Sequence, residues 1–200
     1  MSDQFKTIEG CHIGEYRDKG SKFVAYAYPC HSLEEMKEQL TAIKKEHPKA
    51  RHHCFAYRLD NKKQLFRAND DGEPSGTAGK PILGQIDSFG LSMVNIIVVR
   101  YFGGTKLGVP GLINAYRSAT KDALSNAKII EKRLMVEIRL QFSYIYINDV
   151  MRVLKKDSIK IVNQTFEEEY IIDFRIPKDD QDNIIVQLNK LRHIKIITNQ

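Results

Sequence analysis

The chain has 200 residues, 42% hydrophobic and 28% charged, with a formal net charge of +6. That length admits one large domain or two small ones, and the apolar fraction suffices for packed cores, which excludes a disordered chain. No run of about 18 apolar residues occurs, which excludes a transmembrane helix. The opening segment Met1-Ser2-Asp3-Gln4-Phe5-Lys6 lacks the apolar core of a secretory signal, so the expectation is a cytoplasmic protein. The three cysteines, Cys11, Cys30 and Cys54, are far apart and form no CxxC. This excludes a disulfide framework or a four-thiolate zinc site and leaves small buried hydrophobes in a reduced compartment.

In chain order, the first predicted strand runs from Ser21 to Tyr28. Phe23, Ala25 and Ala27 alternate with Val24, Tyr26 and Tyr28, so both faces are largely apolar. Pro29 ends it. Ser32 is a good N-cap, with Glu34 and Glu35 in the first turn, and Leu33, Met36, Leu40 and Ile43 form one apolar helical stripe that His47-Pro48 stops. His52 to Leu59 reads as a strand, Asp60-Asn61-Lys62-Lys63 as a hairpin turn and Gln64 to Ala68 as the return strand. Asn69-Asp70-Asp71-Gly72 is dense turn chemistry. A short helix is expected at Lys80–Asp87, a central strand at Asn95–Tyr101 and a long helix at Leu112–Lys128. On that helix Leu112, Ala115, Tyr116, Ala119, Ala123 and Ala127 share one side.

From Met135 on the pattern is strand, helix, strand, strand, helix, strand: Met135–Phe142, Ile147–Lys156, Ile159–Phe166, Tyr170–Ile176, a helix carrying Ile184, Ile185, Leu188 and Leu191, and Ile194–Thr198. This βαββαβ order is the ferredoxin-like split pattern. The expected domains are residues 1–133 and 134–200. Residues 1–134 hold 21 Lys and Arg against 15 Asp and Glu, and the rest holds 10 of each. The whole positive excess therefore lies in the first part, which favours an anionic partner there: RNA, nucleotide or phosphate.

Three segments can carry chemistry. The first runs from Arg100 to Gly111, with Gly103, Gly104, Gly108 and Gly111 between a buried strand and a helix. Such a turn exposes backbone N–H groups at a helix N-terminus, where an anion is favoured. Arg100, Lys106 and Arg117 add charge, while Tyr101, Phe102 and Tyr116 add stacking faces. The segment matches neither the P-loop nor the GxGxxG pattern, so nucleotide folds of those classes are not indicated. The second runs from Asp70 to Pro81 and includes Asp71, Glu73, Thr77 and Lys80. Its three carboxylates could hold Mg²⁺ or act as acid and base, but they lack EF-hand spacing, and a loop folding over the first segment is favoured. The third is His52-His53-Cys54, where His52 and Cys54 face the same side of a strand as a nucleophile–base pair would; a packed strand beside a partly exposed imidazole is the simpler reading.

Three motifs carry a resemblance: His52-x-Cys54-x-Ala56-Tyr57-Arg58; Asp71-Gly72-Glu73-Pro74 with Thr77-Ala78-Gly79; and Val99-Arg100-Tyr101-Phe102-Gly103-Gly104-x-x-Leu107-Gly108 with Gly111-Leu112 and Ala115-Tyr116. In this order and spacing the chain resembles the YigZ/IMPACT family over nearly its whole length. The resemblance implies an α+β fold: an N-terminal α/β sandwich similar to domain 2 of a small-subunit ribosomal protein and domain IV of elongation factor G, and a C-terminal ferredoxin-like domain. It also implies a link to translation, since eukaryotic relatives regulate translation under amino-acid stress by binding a large activator of a kinase. A proline-dipeptidase label attached to some bacterial members finds no HExxH and no dinuclear metal set here.

The expected function is binding of RNA, the ribosome or another phosphate-rich partner. The expected ligand-binding residues are Arg100, Tyr101, Gly103, Gly104, Lys106, Gly108, Gly111, Tyr116 and Arg117, with His52, Cys54, Asp71, Glu73, Thr77 and Lys80 lining the cleft. A regulator that binds a protein partner, or a hydrolase on a small peptide or phosphorylated substrate, are the alternatives. No catalytic residue, metal or cofactor is assigned, and neither membrane association nor sequence-specific DNA binding is expected.

Overall fold

A computed structural model describes residues 3–61, 64–155, 158–191 and 193–198. Lys62 and Lys63 of the predicted hairpin turn, and Lys156 at the predicted end of a helix, lie outside the described residues. The chain divides into two compact units, one of residues 5–132, the other of residues from 133 on counted with those up to 4.

The first unit is built on a five-stranded antiparallel sheet. Its strands in spatial order are β2 (His12–Asp18), β3 (Ser21–Pro29), β6 (Val94–Tyr101), β4 (His52–Arg58) and β5 (Phe66–Asn69). Alternation puts Phe23, Ala25, Ala27, Cys54, Ala56, Ile96 and Val98 on one face, where they pack with helices α2 (Gly79–Ser88) and α3 (Gly108–Ser125). Val24, Tyr26, Phe55, Tyr57, Ile97 and Val99 face the other way, toward Met36 and Ile43 of α1 (Leu33–Glu46). The sheet is thus apolar on both faces because both are covered, as the alternation of two apolar sets in β3 requires. Ser32 caps α1 as expected, its hydroxyl accepting from the Glu35 amide at 3.1 Å.

Three strands escape the sequence pattern: β2, and the two-stranded pair of β1 (Gln4–Ile8) with β7 (Ile129–Arg133). Gly14 in β2 reads as a breaker, yet a Cβ there would sit 2.1 Å from the Ala123 amide nitrogen of α3. Glycine is what lets the helix lie on that strand. Helix α3 also differs from expectation. It begins at Gly108, four residues before the predicted start at Leu112, and ends at Ser125 rather than Lys128. Glycine and proline look like loop, but a first turn needs no N–H of its own, so Pro110 is tolerated there.

The second unit has strands β8 (Met135–Phe142), β9 (Lys160–Phe166), β10 (Tyr170–Pro177) and β11 (Ile194–Thr198) in the antiparallel order β11-β8-β10-β9, with α4 (Ile147–Leu154) and α5 (Gln181–Asn189). That order is the ferredoxin-like one. Its core joins Ile138, Leu140, Phe142, Ile172, Phe174 and Ile176 of the sheet to Val150, Leu154, Ile184 and Leu188 of the helices. On the opposite face the Asp173 carboxylate holds Arg139 at 2.6 Å, and this bond keeps Asp173 below the usual carboxylate range. The fold is α+β. Among the described residues no helix is long and apolar enough to cross a membrane.

Candidate functional site

One end of the five-stranded sheet carries a buried polar network. In register across it lie Phe23, Arg100 and His52, all on the face covered by α2 and α3. The Arg100 side chain is only 7% exposed and that of Glu73 only 4%, and the Glu73 Oε1 accepts from the guanidinium at 2.6 Å. The same oxygen accepts from the Tyr116 hydroxyl at 2.8 Å. The guanidinium also lies over Phe23 and Phe102, 5.4 Å from each ring centroid. Its Nε is buried and has no hydrogen-bond partner among the described residues. Beneath, the Cys54 thiol lies 3.0 Å from the Asp70 carbonyl and 3.3 Å from the Tyr116 oxygen. Burial pushes the Cys54 thiol and the Tyr116 phenol well up. Cys54 is therefore a protonated packing residue, and the nucleophile–base reading of His52 with Cys54 is not supported.

The acidic loop does not form one cluster. Asp70 accepts from the backbone N–H groups of Gly76, Ala78 and Gly79 at 2.8, 3.0 and 2.8 Å. Burial works against its charge, but these three bonds outweigh it and leave Asp70 below its ordinary value. Helix α2 has no side-chain cap from its own N-cap residue, Ala78; Asp70 fills that role from eight residues away. Asp71 accepts from the His53 amide at 2.7 Å, and Glu73 is committed to Arg100 and Tyr116. Thr77 ties the loop to the Pro74 carbonyl at 2.6 Å and is buried. Among the described residues no group of three or more His, Cys, Asp or Glu is placed to hold a metal ion.

Over this buried network opens a cleft of about 510 Å³. Its walls include Arg51, His52, Glu73, Arg100, Phe102 and Lys106, with Leu107, Gly108, Val109 and Leu112 from the start of α3. The helix begins there without a side-chain cap and without an acidic residue in its first turn. Its first N–H groups and the positive end of its dipole thus meet the cleft. His52 Nδ1 lies 2.8 Å from the Asp71 carbonyl, which can only accept, so the proton sits on Nδ1 and the neutral ring offers Nε2 as an acceptor. Glu73 is neutralised by Arg100, and Arg51, Lys106 and the helix terminus leave the cleft net positive.

His52, Glu73, Arg100, Lys106 and Gly108 therefore share one cleft, while the other expected residues do not line it. Tyr101 follows Arg100 on a strand and so faces the opposite side, where its hydroxyl bonds His47 Nδ1 at 2.8 Å. Gly103 serves a backbone contact, since a Cβ there would lie 1.9 Å from the Gly20 carbonyl carbon. Gly111 packs on Leu107, and Gly104 takes φ +88° in open space. Tyr116 and Cys54 lie below the cleft, Asp71 holds His52 and His53, and Thr77 staples the loop. Arg117 and Lys80 line a separate pocket. Arg51 is a cleft residue that the sequence does not single out; its place beside His52 at the start of β4 is the available signal.

A family model described as the Impact N-terminal domain matches residues 19–124. An IMPACT family member of Haemophilus influenzae is 36% identical over 78% of this chain and 76% of its own. IMPACT family member YigZ of Escherichia coli is 34% identical over 80% and 79%, and YvyE of Bacillus subtilis is 33% identical over 84% and 77%. A crystal structure of a hypothetical protein superposes on the whole chain and 99% of its own, with a TM-score of 0.77 at 26% identity. The chain belongs to the IMPACT family.

Proposed function

We propose that this protein binds RNA through its phosphates in the cleft at the start of α3, and that it acts in translation or its regulation. One observation carries the reading. An uncapped helix N-terminus opens on the same cleft as Lys106 and Arg51, and the carboxylate in the wall among the described residues, Glu73, is already paired with Arg100. Backbone donors, a helix dipole and two cations with no ion pair among the described residues together suit a phosphate. Phe102, 46% exposed, offers a ring face for a base. The translational setting follows the family resemblance. The hydrolase reading has less support, because Asp70, Asp71 and Glu73 each hold a different structural partner.

The test is fluorescence anisotropy with a labelled oligouridylate across a salt series. Binding should weaken with salt. Arg51→Ala with Lys106→Ala should flatten the log–log slope by about 0.7 for each phosphate that is no longer neutralised. Salt-independent binding, or no binding at low salt, would overturn the proposal.

A further inference from the structure

A second pocket, of about 420 Å³, also opens on α3. Gly76, Lys80, Gly84, Gln85, Ile113 and Arg117 belong to its lining. Val109 lines the first cleft, and Ile113 and Arg117 line the second. These three positions are spaced by four, so they form one stripe along the helix. One loop also contributes to both, since Pro74 borders the first cleft and Gly76 and Lys80 border the second. Neither pocket is lined by an unpaired carboxylate. Both Lys80 and Arg117 are exposed, and neither is in an ion pair among the described residues.

We infer that the two pockets are one track, and that its occupant is a single-stranded phosphodiester chain rather than a lone phosphate or a mononucleotide. The inference rests on the phosphate reading of the first cleft and extends it. Charge complementarity names the occupant: Arg51 and Lys106 stand at one end, Arg117 and Lys80 at the other. Eight residues separate Val109 from Arg117, a rise of about 12 Å along the helix at ~1.5 Å each. Phosphates on a stacked strand are about 3.4 Å apart along the axis, so that rise corresponds to roughly three to four nucleotides. A single phosphate reaches one end only.

The experiment compares uridine monophosphate with oligouridylates of two, four and eight nucleotides by competition against a labelled octamer, using the full chain. Affinity should climb to the tetramer and level off beyond it. Lys80→Ala with Arg117→Ala should remove that climb, about tenfold at the tetramer, and leave the monophosphate unchanged. Arg51→Ala with Lys106→Ala should weaken every ligand. All four side chains are exposed, and unchanged thermal melts confirm that each variant folds. A parallel deoxythymidylate series separates RNA from DNA, and a length step in either supports the track. Equal affinity for monophosphate and tetramer, with Arg51 and Lys106 still required, overturns the track and leaves the first cleft standing. Competition by polyglutamate as strong as by the tetramer overturns the nucleic-acid occupant, and failure of every ligand to bind overturns both readings.

Discussion

Replacing Glu73 by alanine should be among the most damaging single changes in the first unit. The side chains of Glu73 and Arg100 are 4% and 7% exposed, and they meet at 2.6 Å. Removing the carboxylate strands a buried guanidinium, whose Nε already lacks a partner among the described residues. Breaking a buried pair from one side costs about 3–5 kcal/mol. The Tyr116 hydroxyl loses its acceptor as well, at about 1 kcal/mol. The expected loss is therefore about 4 kcal/mol or more, a large share of a total that in domains of this kind is about 5–15 kcal/mol. Arg100→Ala should also destabilise, but the double variant should fall short of the sum of the singles by about 2 kcal/mol, the sign of direct coupling. Because two units can unfold separately, the measurement is peptide-resolved hydrogen exchange on β4 and β6 alongside urea unfolding. Single losses below about 1 kcal/mol, or a double variant that equals the sum, would refute the idea that this pair holds the sheet end together.

Two further outcomes follow from the loops. Gly103→Ala must push a Cβ into the Gly20–Ser21 backbone, with nearest atoms at 1.9 to 2.3 Å, and should cost well over the roughly 1–2 kcal/mol of Gly104→Ala, which has open space and only its φ of +88° against it; thermal melts that rank the two equally would contradict the close approach. Asp70→Ala leaves the N–H groups of Ala78 and Gly79 at the start of α2, and that of Gly76 in the loop before it, without their acceptor and should cost about 3 kcal/mol at neutral pH, at roughly 1 kcal/mol each. Since the folded carboxylate titrates below its ordinary value, the charge-dependent part of this stabilisation is complete above about pH 4 and is lost as pH falls through the folded pKa; urea titrations should show the gap between wild type and variant narrowing as pH falls below about 4, and a gap that widens instead would sink the capping role.

Much of the architecture is legible because its signals are local. Strand β3 shows two apolar sets in alternation, α1 a serine cap before an apolar stripe, and the last third the βαββαβ rhythm. Strand β2 gives no such signal, because its defining feature, the packing of Gly14 against Ala123, spans more than a hundred residues of sequence. The site is legible only as a neighbourhood. Glu73 looks like one of three loop carboxylates until Arg100 and Tyr116 arrive from 27 and 43 residues away. Tyr101 looks like a ligand-side ring, although period two already sets it opposite Arg100. Arg51 has no local mark at all beyond its neighbour.

The packing of Gly103 against the Gly20–Ser21 turn divides the glycine-rich segment into two parts with different freedom to vary. Up to Gly103 the backbone is locked against another turn, so substitution there is paid in stability. Thr105 and Lys106 are exposed and carry no such constraint. Exchanging Thr105 or Lys106 alters the charge and shape of the cleft mouth while Arg100, Glu73 and the sheet beneath stay as they are. The fold thus separates the residues that keep it standing from those that set what it recognises, and a lineage could change ligand preference through two or three side chains without first acquiring compensating mutations in the core.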